Sequence, residues 1–283
     1  MAKFFWDLRH GRSHASNESS LPERLCLMED ALAMQDDFLQ RKKDGEEYNF
    51  LLFVEHDKTY ACTPSDKKKI DAKDPRAKLL RVEPRGLPVH LFTLPENNGG
   101  SIMYHGPGQI VCYLILCMEE LGIQGPLHLA ALIDKSVKEL LTKFGIVGYT
   151  AEELCKISDS DIIDELISRG IMKINAQSER EILMAAHGIW GITEEKEVKK
   201  IASRGLRIVA HRVLDGNVRH FTKFGFAVNI STDLSYFDFI YPCGLDIQMT
   251  SIKELTGQEI PLHTAISLLA QITIKNFQEA SAS

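Results

Sequence analysis

A chain of 283 residues, 44% hydrophobic and 25% charged, is long enough to bury one sizeable core, as a single domain with an insertion or as two domains. Its formal net charge of −6 argues against bulk nucleic-acid binding, and no apolar run approaches the ~20 residues that cross a bilayer. Cys26, Cys62, Cys112, Cys117, Cys155 and Cys243 lack C-x-x-C or zinc-ligand spacing. With no secretory pattern at the start, disulfides are not expected and a reducing cytoplasm is the predicted compartment.

Residues 1–20 read as a poorly ordered leader, with Asp7 and Glu18 arguing against a mitochondrial transit peptide. The next element is an amphipathic helix, from apolar residues at helical spacing (Leu25, Met28, Leu32, Met34, Phe38, Leu39). YNFLLFVEH, from Tyr48, is continuously apolar and aromatic, as a buried strand requires. Residues 67–81 are a charged stretch and are predicted to be an exposed connector. A short strand over residues 89–92 precedes a glycine-rich run, and residues 109–118 are apolar enough for a central strand with Cys112 and Cys117 packed inside.

Pro126 suits the first turn of a helix whose inner stripe is Leu129, Ile133, Val137, Leu140 and Leu141. Residues 151–184 differ in character. They begin acidic and contain one predicted helix, DIIDELISR, capped by Ser158 or Ser160 and stopped by Gly170. After them IW (189–190), KKIASRG, LRIVAHRV and FGFAVNI read as successive strands with turns between, and LDGN at 214–217 is a hairpin signal. Ser231, Thr232 and Asp233 can cap a helical turn over LSYFDFI, and SIKELTG and residues 261–280 supply closing helices. Strands interrupted by helices without regular βαβ alternation predict an α+β fold around a mixed β-sheet flanked by helices.

Cys243 lies in Tyr241-Pro242-Cys243-Gly244, where proline fixes φ and glycine permits a sharp exit, so its thiol is expected on a turn. A thiolate exchanges one acyl thioester for another at nearly equal energy and leaves the acyl group reactive toward an amine. A free thiol titrates near about 8.5, so such a cysteine needs a neighbouring cation. Residues 196–223 hold eight Lys/Arg against Glu197 and Asp215. That stretch is either a docking face for an acidic partner or a solvated surface. The glycines of the run at 97–109 permit close backbone approach to a substrate and free amides for a carbonyl oxygen. No lysine follows at phosphate-loop spacing.

In chain order, NNGGSIMYHGPGQ (97–109), GIWG with KKIASRGLR (188–207), and TKFGFAVN with YPCGL and TSI (222–252) resemble the signature regions of the LipB family of octanoyltransferases. The likeness runs from about Tyr48 to Ile252. It implies the biotin/lipoate protein ligase-like fold, and it makes residues 151–184 an insertion: a lid, a partner contact or a surface ornament. Residues 21–283 are then one acyltransferase domain. Within KIA-x-x-G-x-R the resemblance selects Lys200 over Lys199 as partner of Cys243, since adjacent strand residues point to opposite faces. Gly99, Gly100, Tyr104, His105, Gly106, Gly108, Gln109, Ala202, Gly225, Ala227 and Asn229 become the substrate-binding wall, with His105 either orienting substrate or serving structure.

The implied reaction moves an octanoyl group from acyl carrier protein, through a Cys243 thioester, to a lysine on lipoyl domains of 2-oxoacid dehydrogenases or on the glycine cleavage H protein. No ATP, metal or other cofactor is required. The family's arginine before the paired glycines is Asn98 here, the threonine before Tyr104 is Met103, and the histidine before Gly225 is Phe224. Two alternatives stay open, the second of them favoured by these departures. One is an ATP-dependent lipoate- or biotin-type ligase, which needs no cysteine nucleophile. The other is a catalytically weak protein that binds carrier or lipoyl domains.

Overall fold

The computed structural model describes residues 3–9, 25–74, 77–95, 101–175, 180–182 and 187–281. Its first strand, β1 (Lys3–Arg9), runs parallel to β2 (Tyr48–Val54). Part of the expected leader is therefore an edge strand, pinned by Phe4 against Phe277 and Phe5 against Phe50 at ring separations of 6.4 and 6.1 Å. The rest of 1–20 lies outside the described residues.

Between these strands comes helix α1 (Met28–Lys43), and after them β3 (Thr59–Cys62) and α2 (Pro64–Asp71). Thr63 caps α2 by accepting the Asp66 N–H, and Pro64 takes the first turn, where its missing N–H costs nothing. The expected connector at 67–81 thus begins inside a helix, and it buries Ile70 and Leu79 rather than lying wholly exposed. Strands β4 (Leu91–Thr93) and β5 (Met103–His105) flank β3 in a small three-stranded sheet.

Next follow β6 (Gln109–Ile115), α3 (Pro126–Lys143), β7 (Tyr149–Thr150), α4 (Ala151–Leu154), α5 (Ser160–Ser168) and the pair β8 (Met172–Ile174) and β9 (Arg180–Ile182). Asp159, not either serine, caps α5 through its carboxylate. The predicted strands KKIASRG and LRIVAHRV are one 15-residue strand, β11 (Val198–Arg212), which follows β10 (Ile189–Ile192). A turn in which the Val213 N–H reaches the Asn217 carbonyl leads into β12 (Val218–Asn229). Helices α6 (Ile252–Thr256) and α7 (Leu262–Ser281) close the chain.

The main sheet has the order β1-β2-β6-β12-β11-β10-β7, antiparallel at every step except β1–β2. Side-chain alternation divides β2 between two cores. Leu51 and Phe53 join the cluster under α3 and α7, whereas Phe50, Leu52 and Val54 join the cluster under α1. β6 is buried at every position, with Cys112 on one face and Cys117 beyond its end on the other. A third cluster packs Leu154, Ile162, Leu166, Ile171 and Met172 against Trp190, Val198 and Ile247. The described part of 151–184 is therefore a packed wall behind β10 and β11.

Candidate active site

Lys200 is held in β11 between β10 and a short backbone bridge. Its N–H donates to the Gln248 carbonyl at 2.9 Å, and its own carbonyl accepts the Thr250 N–H at 2.8 Å. The side chain is fully buried beside Trp190, with Nζ 5.4 Å from that ring. Gly188, at φ +139°, leaves the room it occupies, since a Cβ there would come within 2.6 Å of Lys200 Cε. Lys199 turns the other way and pairs with Glu197 and Glu254 at 3.0 and 3.3 Å.

The Lys200 ammonium has a single hydrogen-bond partner among the described residues, the Cys243 sulfur at 3.5 Å. No described carboxylate forms an ion pair with it. A buried ammonium without a counter-charge is expensive, and a thiolate at this position supplies one. The cation is buried, and the sulfur beside it is partly exposed.

Cys243 stands at the centre of a tight turn over Pro242–Gly244, in the left-handed region at φ +58°. A cysteine there carries about 1 kcal/mol or more of backbone strain, so the flanks must hold it. They do so through Arg81. Its Nε donates to the Ile240 carbonyl at 2.8 Å, its Nη2 meets Asp246 at 2.8 Å, and its guanidinium lies 4.6 Å from the Tyr241 ring centre. The Tyr241 N–H also donates to Leu79. Cys243 is partly exposed, while Cys26, Cys62, Cys112 and Cys117 are buried.

Cys243 opens onto an apolar cleft of about 120 Å³, lined also by Met28, Met103, Tyr104, His105, Gln109, Tyr113, Phe224, Gly225, Ala227, Asn229 and Met249. Buried hydrogen bonds lead from its polar wall to Lys200. His105 Nδ1–H donates to Gln109 Oε1 at 2.6 Å, Gln109 Nε2 to Asn229 Oδ1 at 2.9 Å, and Asn229 Nδ2 to the Thr250 carbonyl at 2.9 Å. Burial pushes His105 down from its ordinary range, and it is neutral at neutral pH. Behind it His56 Nδ1–H donates to the Cys26 carbonyl (2.9 Å), so its Nε2 accepts the Tyr113 hydroxyl (2.7 Å). Burial, and then the nearby His105, lower His56 to about 3.

The sequence model of the lipoyl protein ligase A/B catalytic domain matches residues 28–273. The chain belongs to that family. An octanoyltransferase of Bacteroides fragilis (strain YCH46) is 27% identical over 229 residues, covering 80% of this chain and 81% of that one. An octanoyltransferase of Christiangramia forsetii is 29% identical over 247 residues, covering 85% and 82%. Among solved structures, the putative lipoate protein ligase Ta0514 of T. acidophilum with bound lipoic acid is similar at a TM-score of 0.49 and 13% identity, over 91% of this chain and 85% of that one. The mixed sheet flanked by helices is the α+β architecture that the sequence predicts.

Within the family match, the residues expected to form the site divide into groups. Lys200 and Cys243 meet, and Tyr104, His105, Gln109, Gly225, Ala227 and Asn229 line the cleft with the cysteine. Gly225 lets β12 close on β6, where a Cβ would fall 1.9 Å from the Cys112 carbonyl oxygen. Gly106, Gly108 and Ala202 stand behind the wall rather than in it. The Gly108 amide is not free for a substrate carbonyl, because it donates to Glu55 Oε1 at 2.7 Å. Asn98, Gly99 and Gly100 lie outside the described residues.

Several cations of the basic stretch 196–223 are paired in the fold. Lys196 pairs with Asp159 and Asp161, Arg204 with Asp134, Arg219 with Asp215, and Lys223 with Asp36. Lys196, Arg204 and Lys223 thus meet acids that the fold brings from elsewhere, whereas Arg219 pairs within the run itself. Arg81 was missed as a site residue because its partners lie some hundred and sixty positions downstream. Gly188 carried a signal in GIW, but not the reason for it.

Proposed function

We propose that the protein is an octanoyltransferase of lipoate biosynthesis that works through a thioester on Cys243. The observation that carries this reading is the 3.5 Å contact between a buried Lys200 ammonium and the sulfur that opens onto the apolar cleft. In the resting pair the ammonium stabilises the thiolate. The thiolate attacks the carbonyl carbon of octanoyl–acyl carrier protein, and the carrier's sulfur leaves with the proton that Lys200 gives up. Lys200 is then neutral beside the acyl–cysteine.

An ε-amine of a lipoyl domain attacks that acyl carbon, its surplus proton passes to the Lys200 amine, and the Cys243 thiolate leaves. The amide is formed and the ion pair restored, with no nucleotide or metal entering the balance. The acceptor lysine would belong to a 2-oxoacid dehydrogenase or to the glycine cleavage H protein. Residues 21–283 act in this reading as one acyltransferase domain in the cytoplasm, with 151–184 as an insertion. Among the described residues no helix is long and apolar enough to cross a membrane.

The test is to incubate the protein with octanoyl–acyl carrier protein and a lipoyl domain, with and without ATP, and weigh the lipoyl domain. Octanoylation without ATP, lost in Cys243→Ser, supports the proposal. Octanoylation from free acid that requires ATP identifies an adenylating ligase. Binding of the lipoyl domain without any mass gain identifies a recognition protein.

A further inference from the structure

β12 holds one residue in a backbone conformation that strand pairing does not need. Phe224 sits in mid-strand at φ +65°, a left-handed conformation that a bulky residue adopts only when its surroundings hold it. The holder is Gln35 of α1, whose Oε1 accepts the Phe224 N–H at 3.0 Å. Gln35 is fully buried, and its Nε2 has no hydrogen-bond partner among the described residues. An apolar residue would fill that helix position at less cost, so the amide is explained by the conformation it supports. The preceding Lys223 is tied to the same helix, through Asp36 at 2.6 Å.

That conformation places Phe224 in the wall of the cleft, together with Met28 and Met103. Met28 and Phe224 belong to the apolar cluster under α1, and Met103 packs against it from β5, the strand that also meets the Cys243 turn. Two of the three, Met103 and Phe224, are positions where this chain replaces a polar residue of the motif it resembles. Both replacements make the α1 side of the cleft larger in side chain and more apolar.

We propose that Phe224, fixed by Gln35 and backed by Met28 and Met103, is the stop that sets the acyl-chain length the cleft accepts. Gln35 is a positioning residue, acting only through Phe224. This inference rests on the acyl-transfer reading and adds to it the determinant of chain length.

The experiment offers the protein an equimolar mixture of octanoyl-, decanoyl- and dodecanoyl–acyl carrier protein and reads the ratio of adducts on the intact protein by mass. Phe224→Gly removes the stop and suits the left-handed backbone. Each methylene admitted to apolar space is worth about a factor of four, so the dodecanoyl-to-octanoyl ratio should rise roughly tenfold or more. Phe224→His keeps the bulk and should leave the ratio within about twofold of the unaltered protein. Gln35→Ala should raise it in the same direction as Phe224→Gly. Thermal unfolding shows which variants are folded, and should Gln35→Ala fail to fold, Phe224→Gly alone decides. An unchanged ratio in folded Phe224→Gly, with acylation intact, overturns the stop. Absence of any adduct on the unaltered protein overturns the acyl-transfer reading instead.

Discussion

Gly188 and Lys200 share one volume: the hydrogen on the first marks the place where the aliphatic stem of the second passes, 2.6 Å from where a Cβ would stand. Gly188→Ala must therefore displace the stem and the Ala202 carbonyl, which would stand 2.4 Å from the new Cβ, and its φ of +139° adds strain. A shift of about 1 Å at a reacting group costs about a hundredfold in rate. Single-turnover acylation of this variant by octanoyl–acyl carrier protein should fall by that order, with Cys243 still reactive toward a small alkylating reagent. A rate within twofold of the unaltered protein would show that the lysine stem tolerates the shift.

Lys200→Met tests the charge apart from the packing. It keeps the length of the stem and removes a buried ammonium whose one described hydrogen-bond partner is a sulfur. Removing one partner of a buried pair is costly only if the other stays charged, and a partly exposed thiolate can become a neutral thiol by taking up a proton. Urea unfolding should show no loss beyond about 1 kcal/mol, whereas acylation should drop by about 10²–10⁴. A large loss of stability with acylation preserved would make Lys200 structural.

The Arg81 guanidinium grips both sides of the strained Cys243 turn, at Ile240 and at Asp246. Arg81→Ala should slow acylation by roughly tenfold or more, and Arg81→Lys should not restore it, because one ammonium cannot reproduce the two-sided fork. The check is the acylation rate of both variants alongside their melting temperatures. Full activity in Arg81→Lys would reduce the grip to simple charge.

How much of this was legible in the sequence differs by element. The continuous apolar run YNFLLFV marks β2, and the helical spacing after Leu25 marks α1, because each pattern is local and set by the cores it faces. Lys200 and Cys243 were legible because a motif names them, although 43 positions separate them. Arg81 and Gln35 were not legible. An arginine in a charged run and a glutamine in a helix carry no mark of the distant backbone groups they serve. The same holds for β1, whose strand character comes from pairing with the edge of β2. The pairing of the basic stretch was hidden for a related reason, since Asp134, Asp161 and Asp36 come from α3, α5 and α1.

Acid should weaken the fold through His56. Burial, and then His105, hold it at about 3 against an ordinary 6.5. Between those values the unfolded chain binds a proton that the folded chain refuses, so this stability is present above about 6.5 and is lost as pH falls toward about 3, on the order of a few kcal/mol. Asp134 acts in the opposite sense, being raised to about 6 chiefly by burial, so its protonation favours the fold as pH falls. Urea unfolding at pH values across this window, in the unaltered protein and in His56→Gln, separates the two. The variant should lose less stability on acidification, and equal slopes would remove His56 as the cause.

The most direct measurement is to quench the protein a short time after mixing with octanoyl–acyl carrier protein, in the absence of any acceptor, and map the acyl group by peptide mass. One octanoyl group on the peptide carrying Cys243, absent from Cys243→Ser and slow to appear in Lys200→Met, is the expected result. A lipoyl domain that becomes octanoylated while Cys243 never carries the acyl group, or an adduct on Cys155 instead, would contradict the Lys200–Cys243 pair as the site of transfer.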